Sequence, residues 1–487
     1  MNKAIEVLSP VGIWKNFKEL TLIPRPSKKE VKIIQFIREF GKNLGLETHA
    51  DPAGNVIIRK PATRGMENRK VVILQAHLDM VPQKNSDKKH DFEKDPIEAY
   101  ADGDWVRANG TTLGADNGIG VAAMMCVLES KSLAHGPVEA LFTVDEETGM
   151  TGAFALQPGQ LKGDILLNLD SEDEGELYVG CAGGMDANIS FRYKADKIPA
   201  NYVPYLVRIS GLRGGHSGLE IHLGRGNSNH LLFRILYKSA GAVGLRLCET
   251  EGGNMRNAIP REAHAAVIVP AENEKKFSSL FHGIVRDIKK ELAAAEPDLV
   301  IECKKTAMPS RVMTPAFQKK LVAAVYSCPS GAIRMSDGIP GLVETSNNLA
   351  IVRTEGNLVR INCLLRSSVE SAKENLADSM KALFEMAGAQ IGFSGSYPGW
   401  KPNIDSPIMK TMKQVYKKMH NREPEIKAVH AGLECGIIGG VCPGLDMISF
   451  GPTIRHPHSP DEKVHIESVG KFWDFLCETL RNIPEKK

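Results

Sequence analysis

Short apolar runs alternate with amphipathic ones along most of the chain, and this succession predicts strands and helices following one another. Residues 33–44 place apolar side chains at helical spacing, and residues 118–128 read as an apolar helix. Three runs, 71–74, 138–144 and 165–167, are apolar without alternation, the pattern of a strand covered on both faces. Each runs straight into acidic or imidazole side chains: His77-Leu78-Asp79, Asp145-Glu146-Glu147 and Asp170-Ser171-Glu172-Asp173. Ligands of an open α/β sheet bind beyond the carboxyl ends of its strands, so these tails are expected to converge on one cleft.

Breaker-rich stretches at Gly183-Gly184 and at residues 395–402 read as hinges around an inserted domain. The expected organisation is a first catalytic part over 1–185, an insertion over 186–398 and a second catalytic part over 399–487. Inside the insertion the pattern changes to strands and amphipathic helices at 205–209, 227–239, 263–269, 274–292, 349–365 and 371–387. No short repeat is visible, although the insertion is long enough for two similar halves. Beyond it, 408–419 reads as a helix and 445–450 as a strand that presents His456-Pro457-His458-Ser459-Pro460-Asp461-Glu462. The fold class is therefore α/β, a mixed central sheet flanked by helices, with an inserted α+β domain.

Length supports the division, because 487 residues exceed what one core usually holds, about 300. A composition of 42% hydrophobic and 24% charged residues with a formal charge of +3 is that of a globular chain without long single-sign runs, which argues against nucleic-acid binding. No stretch reaches the ~18 uninterrupted apolar residues of a membrane span, and the first ten residues lack the features of a signal peptide. The nine scattered cysteines form no Cys-x-x-Cys pair and read as buried thiols. A cytoplasmic protein without membrane association is expected.

Imidazole nitrogen mixed with carboxylate oxygen, without thiolate, suits zinc, manganese or cobalt at a hydrolytic centre. His77, Asp116, Glu147, Asp170 and His458 are the candidates. Asp116 lies in a glycine-flanked turn, Thr112-Leu113-Gly114-Ala115-Asp116-Asn117-Gly118, and is the choice for a bridge, because a carboxylate can touch two metals where an imidazole cannot. Of the adjacent acids Glu146 and Glu147, one can bind metal while the other serves as general base.

These residues, with Val81-Pro82-Gln83-Lys84-Asn85 and the surroundings of Asp116 and Asp170, resemble the co-catalytic zinc peptidase family of aminoacylase, desuccinylase, tripeptidase and carnosinase. The similarity spans nearly the whole chain and is strongest to the aminoacyl-histidine dipeptidase branch. It implies two Zn2+ per subunit, with Mn2+ or Co2+ as substitutes: His77 and Asp170 on one, Glu147 and His458 on the other, Asp116 on both. Asp173 competes with Asp170, but Asp170 comes first after its strand and matches the family position. The resemblance further implies Asp79 as the group orienting His77, Glu146 as the base, and the insertion as a lid and homodimerisation domain. In the insertion His216, within Gly214-Gly215-His216-Ser217-Gly218, matches a histidine placed against the substrate carbonyl, often from the partner subunit. Asn257 and Arg366 match positions that grip the carboxylate or carbonyl end, and Glu434 a position beside the substrate amine.

The implied activity is hydrolysis of short unblocked peptides, Xaa-His dipeptides and β-alanyl-histidine among them, by a water between the metals with Glu146 as base. The nearest alternative is an N-acyl amino acid amidohydrolase of the same family, which would share every ligand. A non-catalytic peptide-binding protein is a poorer fit, because a degenerate site is expected to lose at least one ligand.

Overall fold

The computed structural model describes residues 4–486, which fold as two compact units. The first takes the chain to Cys181, then Trp400–Ala428 and the chain from Leu433 on; the second comprises Ala182–Gly399 and the short segment Val429–Gly432.

The first unit is built on an eight-stranded sheet. Its order is Glu47–Ala50, Val56–Lys60, Val138–Thr143, Val72–His77, Ile165–Asn168, Asp446–Ser449, Glu176–Cys181 and Glu425–Val429. The three runs read as buried strands form the centre of this sheet as Val72–His77, Val138–Thr143 and Ile165–Asn168, and every residue of these strands is buried. They lie parallel, with His77 opposite Thr143 and Gln75 opposite Asn168, and Asp446–Ser449 continues the parallel set. Parallel register brings their carboxyl ends to one edge, which gathers the polar tails. A smaller four-stranded sheet pairs Lys463–His465 with Trp105–Ala108 and so ties down the loop that carries His458.

The second unit holds two β-α-β-β-α-β sets in one nine-stranded sheet. One set is Tyr202–Ser210, Arg246–Gly252, Ala263–Pro270 and Val300–Lys305, with helices Ser228–Val243 and Glu274–Glu291. The other is Gly183–Arg192, Val343–Glu355, Leu358–Ser367 and Gln390–Tyr397, with helices Pro315–Ser327 and Glu370–Met386. The first set is inserted into the second after its opening strand. The two meet where Glu251 and Gly252 pair with Arg353 and Val352. The core packs Phe191, Phe233, Phe277, Phe281 and Phe384 with aliphatic side chains of these strands and helices.

One expectation changes in detail. The run at 349–365 is a hairpin of two long strands that turns at Gly356-Asn357, not one element. Gly183 lies beside the division between the units and opens a strand, and a Cβ there would lie 2.4 Å from Tyr397 O. A Cβ on Gly399 would lie 2.6 Å from Ser367 O, so both glycines serve close approach of backbone to backbone. Among the described residues no helix is long and apolar enough to cross a membrane. The nine cysteines are thiols, seven buried and Cys303 and Cys442 partly so.

Candidate active site

Asp116 sits where the chain enters helix Ala115–Glu129, in backbone that is not yet helical; Gly114, just before, is left-handed at φ 70°. Its two carboxylate oxygens face different imidazoles. Oδ1 is 3.1 Å from His77 Nε2, and Oδ2 is 3.1 Å from His458 Nε2. Asp170 Oδ1 lies 3.3 Å from His77 Nε2, and Glu147 Oε2 lies 3.0 Å from His458 Nε2. The five side chains thus form two clusters that share Asp116, each able to hold a metal ion. Asp173 is elsewhere, in an ion pair with Arg455 at 2.6 Å.

Glu146 and Glu147 open a one-turn helix, Glu146–Gly149, flanked by Asp145 and Met150 in left-handed conformations. They follow the end of strand Val138–Thr143, as expected, and the sharp turn sets their N–H groups toward Asp79, whose Oδ1 accepts from Glu146 at 3.0 Å and Oδ2 from Glu147 at 3.3 Å. Asp79 is fully buried and also 3.4 Å from His77 Nδ1. Burial alone would raise its pKa, but His77, Ser27 and the Glu146 N–H bring it down to about 2. Glu146 itself joins His77 and Glu147 in a third grouping of donor atoms.

The electrostatics are those of a pocket with more carboxylate than cation. Burial and the surrounding acids hold Glu146 well above the usual carboxylate range and push Asp170 to about 6. Burial would raise Asp116 too, yet His458 and His77 keep it well below its ordinary value. Contact with Asp116 and Glu147 raises His458 to about 11, and Asp170 and Asp116 raise His77 against its burial. Glu147 Oε1, buried without a hydrogen-bond partner, is a further donor in the same place.

Glu434 starts helix Glu434–Val441 and is buried; its Oε2 accepts from Gln75 Nε2 and Thr143 Oγ1, each at 2.7 Å. Its Oε1 has no partner, and burial pushes the carboxyl up to about 8. Sequence reasoning missed Asn117, whose amide donates to Asp170 Oδ1, and Glu172, raised by burial and the nearby Asp116 to about 8. It also missed Arg25 and Glu462, both buried. Arg25 donates to the carbonyls of Leu78, Asp79 and Gly114; Glu462 is pushed by burial to about 7. Their signal in the sequence is weak, since each is a single charged residue whose partners are backbone.

In the second unit His216 is half-buried, and its Nδ1 accepts from the N–H groups of Gly218 at 3.2 Å and Leu219 at 3.0 Å. That assigns the ring proton to Nε2. Burial and Arg366 lower its pKa, so the ring is a neutral donor. Arg366 is buried on strand Leu358–Ser367; Nη1 donates to Tyr397 OH at 3.2 Å, and Nε is buried without a partner. Asn257 is exposed and holds the Ser217 N–H through its carbonyl at 2.8 Å. His430, which sequence reasoning passed over, contacts Ser346 Oγ at 2.7 Å through Nε2, and Nδ1 is left unpartnered.

Residues 73–482 match peptidase family M20/M25/M40. The chain is 46% identical over 479 residues to the cytosol non-specific dipeptidase of Escherichia coli (strain K12), covering 98% of this chain and 99% of that protein. Among solved structures, the aminoacylhistidine dipeptidase from Vibrio alginolyticus matches with a TM-score of 0.96 at 50% identity, over 100% of this chain and 99% of that one. A tripeptidase from Staphylococcus aureus shares the fold at a TM-score of 0.61 and 16% identity, over 98% and 99% of the two chains.

Proposed function

The chain belongs to peptidase family M20/M25/M40, and from that premise we propose that it is a metal-dependent dipeptidase with Glu146 as general base. Its substrates are unblocked dipeptides, Xaa-His dipeptides and β-alanyl-histidine among them. The names of the Escherichia coli and Vibrio relatives support this substrate class. The observation that carries the reading is the division of Asp116 between His77 and His458, each 3.1 Å from a different carboxylate oxygen.

The donor set fits two divalent cations, being oxygen and nitrogen without sulfur and rich in carboxylate. His77 and Asp170 would hold one, Glu147 and His458 the other, and Asp116 both, with Zn2+ the proposed ion and Mn2+ or Co2+ able to replace it. Cations bound there would supply Lewis-acid polarisation of the peptide carbonyl and a lowered pKa for the attacking water. Glu146 takes the proton of that water and delivers it to the leaving amine nitrogen; a carboxylate whose proton affinity is raised by burial suits both halves of the task. Asp79 keeps the His77 ring in place and seats the turn that carries Glu146.

Substrate groups are assigned by the resemblance and supported by local chemistry. The neutral His216, with its proton on Nε2, is the donor to the carbonyl oxygen. Arg366 takes the free carboxylate, with Asn257 beside the same end of the substrate. The unpartnered oxygen of Glu434 takes the α-ammonium. We further assign the enzyme to the cytoplasm, following the relative named for the cytosol, and expect a homodimer through the second unit.

A panel of aminoacyl-histidine dipeptides, β-alanyl-histidine, other dipeptides, a tripeptide, and N-acetylated and N-succinylated amino acids tests the assignment. Cation-loaded protein is expected to release amine from the unblocked dipeptides, and a chelator to stop it. Turnover of the acylated compounds alone would move the function to deacylation.

A further inference from the structure

Glu462 is 2% exposed, yet among the described residues no side-chain cation forms a direct ion pair with it. Its partners are four successive backbone donors. Oε2 accepts from Leu113 at 2.8 Å and Gly114 at 3.0 Å, and Oε1 from Ala115 at 2.8 Å and Asp116 at 3.2 Å. Such a run of N–H groups around one anion is a nest, and it fixes the turn that makes it. The same turn is held from outside by Arg25, 3% exposed, whose Nη2 donates to Gly114 O at 2.5 Å. Nη1 of Arg25 reaches Leu78 O at 2.9 Å and Asp79 O at 3.1 Å, the backbone that follows His77. There is no room for anything larger than glycine beside it, since a Cβ on Gly114 would lie 2.6 Å from Nη2 and one on Gly118 2.7 Å.

Three stretches of chain are thereby connected. Glu462 follows His458 by four residues, Asp116 is the last donor of the nest, and Arg25 joins the nest to the end of the Val72–His77 strand. Resting on the cation reading given above, we propose that Glu462 is a positioning residue, with Arg25 as its counterpart. It locks the Leu113–Asp116 backbone so that Asp116 presents one oxygen to His77 and the other to His458. Glu462 would touch neither cation nor substrate; its effect on both passes through Asp116. Asp51 supplies a matched control: also buried, it accepts the N–H groups of Ala53, Gly54 and Asn55 at 2.9 to 3.0 Å in a turn before Val56–Lys60.

Full-length wild type, Glu462→Gln, Glu462→Asp and Asp51→Asn are stripped of metal and titrated with Zn2+ alone by calorimetry, and each metal-free protein is melted. Glu462→Gln is expected to bind Zn2+ about ten- to a hundredfold more weakly than wild type, with Glu462→Asp between them. Asp51→Asn should lower the melting temperature while leaving Zn2+ affinity unchanged. At saturating Zn2+ the loss of dipeptide hydrolysis in Glu462→Gln is expected in kcat more than in KM. Wild-type affinity in Glu462→Gln, or an equal loss in Asp51→Asn, would overturn the proposal while leaving the cation site standing. If Glu462→Gln does not fold, Glu462→Asp decides, since its shorter reach must weaken Zn2+ binding severalfold or the proposal fails. A wild-type protein that takes up no Zn2+ would instead overturn the reading of the site itself, and the proposal with it.

Discussion

Asp79 accepts the N–H groups of Glu146 and Glu147 and stands 3.4 Å from His77, so one buried carboxylate serves three neighbours assigned to the chemistry. Asp79→Asn keeps the size of the side chain but removes the charge and one acceptor. We expect it to weaken Zn2+ binding about ten- to a hundredfold, read by calorimetric titration of the metal-free protein; unchanged affinity would leave Asp79 a purely structural cap. The gathering of His77, Asp116, Glu147, Asp170 and His458 was legible because each follows an apolar run or a glycine turn, which announces a strand end or helix entry. Arg25, Asn117 and Glu462 were not. Their partners are mostly backbone groups or a distant carboxylate, and a solitary charged residue has no spacing that distinguishes a buried anchor from a solvated one.

Elements with continuous apolar runs were read correctly because burial on both faces demands them, as in Val72–His77 and Ile165–Asn168. Strands Gln390–Tyr397 and Val300–Lys305 escaped, since they lie at the two ends of the second unit's sheet and carry polar residues on their exposed positions. Length alone left room for the two β-α-β-β-α-β sets, but no repeat marks them in the sequence, because they share topology, not residue spacing, and one interrupts the other. His430 sits in this unit as a short returning segment, and burial with Arg366 nearby lowers its pKa to about 3. The folded state refuses a proton that the unfolded state accepts near 6.5, so its stability is full above pH 6.5 and falls as pH drops toward 3. By pH 5 the loss is on the order of 2 kcal/mol. Unfolding midpoints of wild type and His430→Gln at pH 7 and pH 5 check this: the variant, which cannot titrate, is expected to lose less on acidification, and equal losses would refute the shift.

For the molecule as a whole, the proposed function divides the work between the two units. The central parallel strands of the first unit's mixed sheet bring the proposed cation ligands to one edge, and the second unit carries His216 and the buried Arg366, proposed to bind substrate. Family membership gives this arrangement its chemical setting, and the role of Glu146 is the point on which the proposed activity turns. The decisive measurement is dipeptide hydrolysis by wild type and Glu146→Gln, with the cation content of each determined by mass spectrometry on the same samples. Glu146→Gln is expected to hold as much Zn2+ as wild type while kcat falls about a hundredfold to ten-thousandfold, the usual worth of a general base. A Glu146→Gln protein that is fully loaded and turns over dipeptide at the wild-type rate would contradict the account.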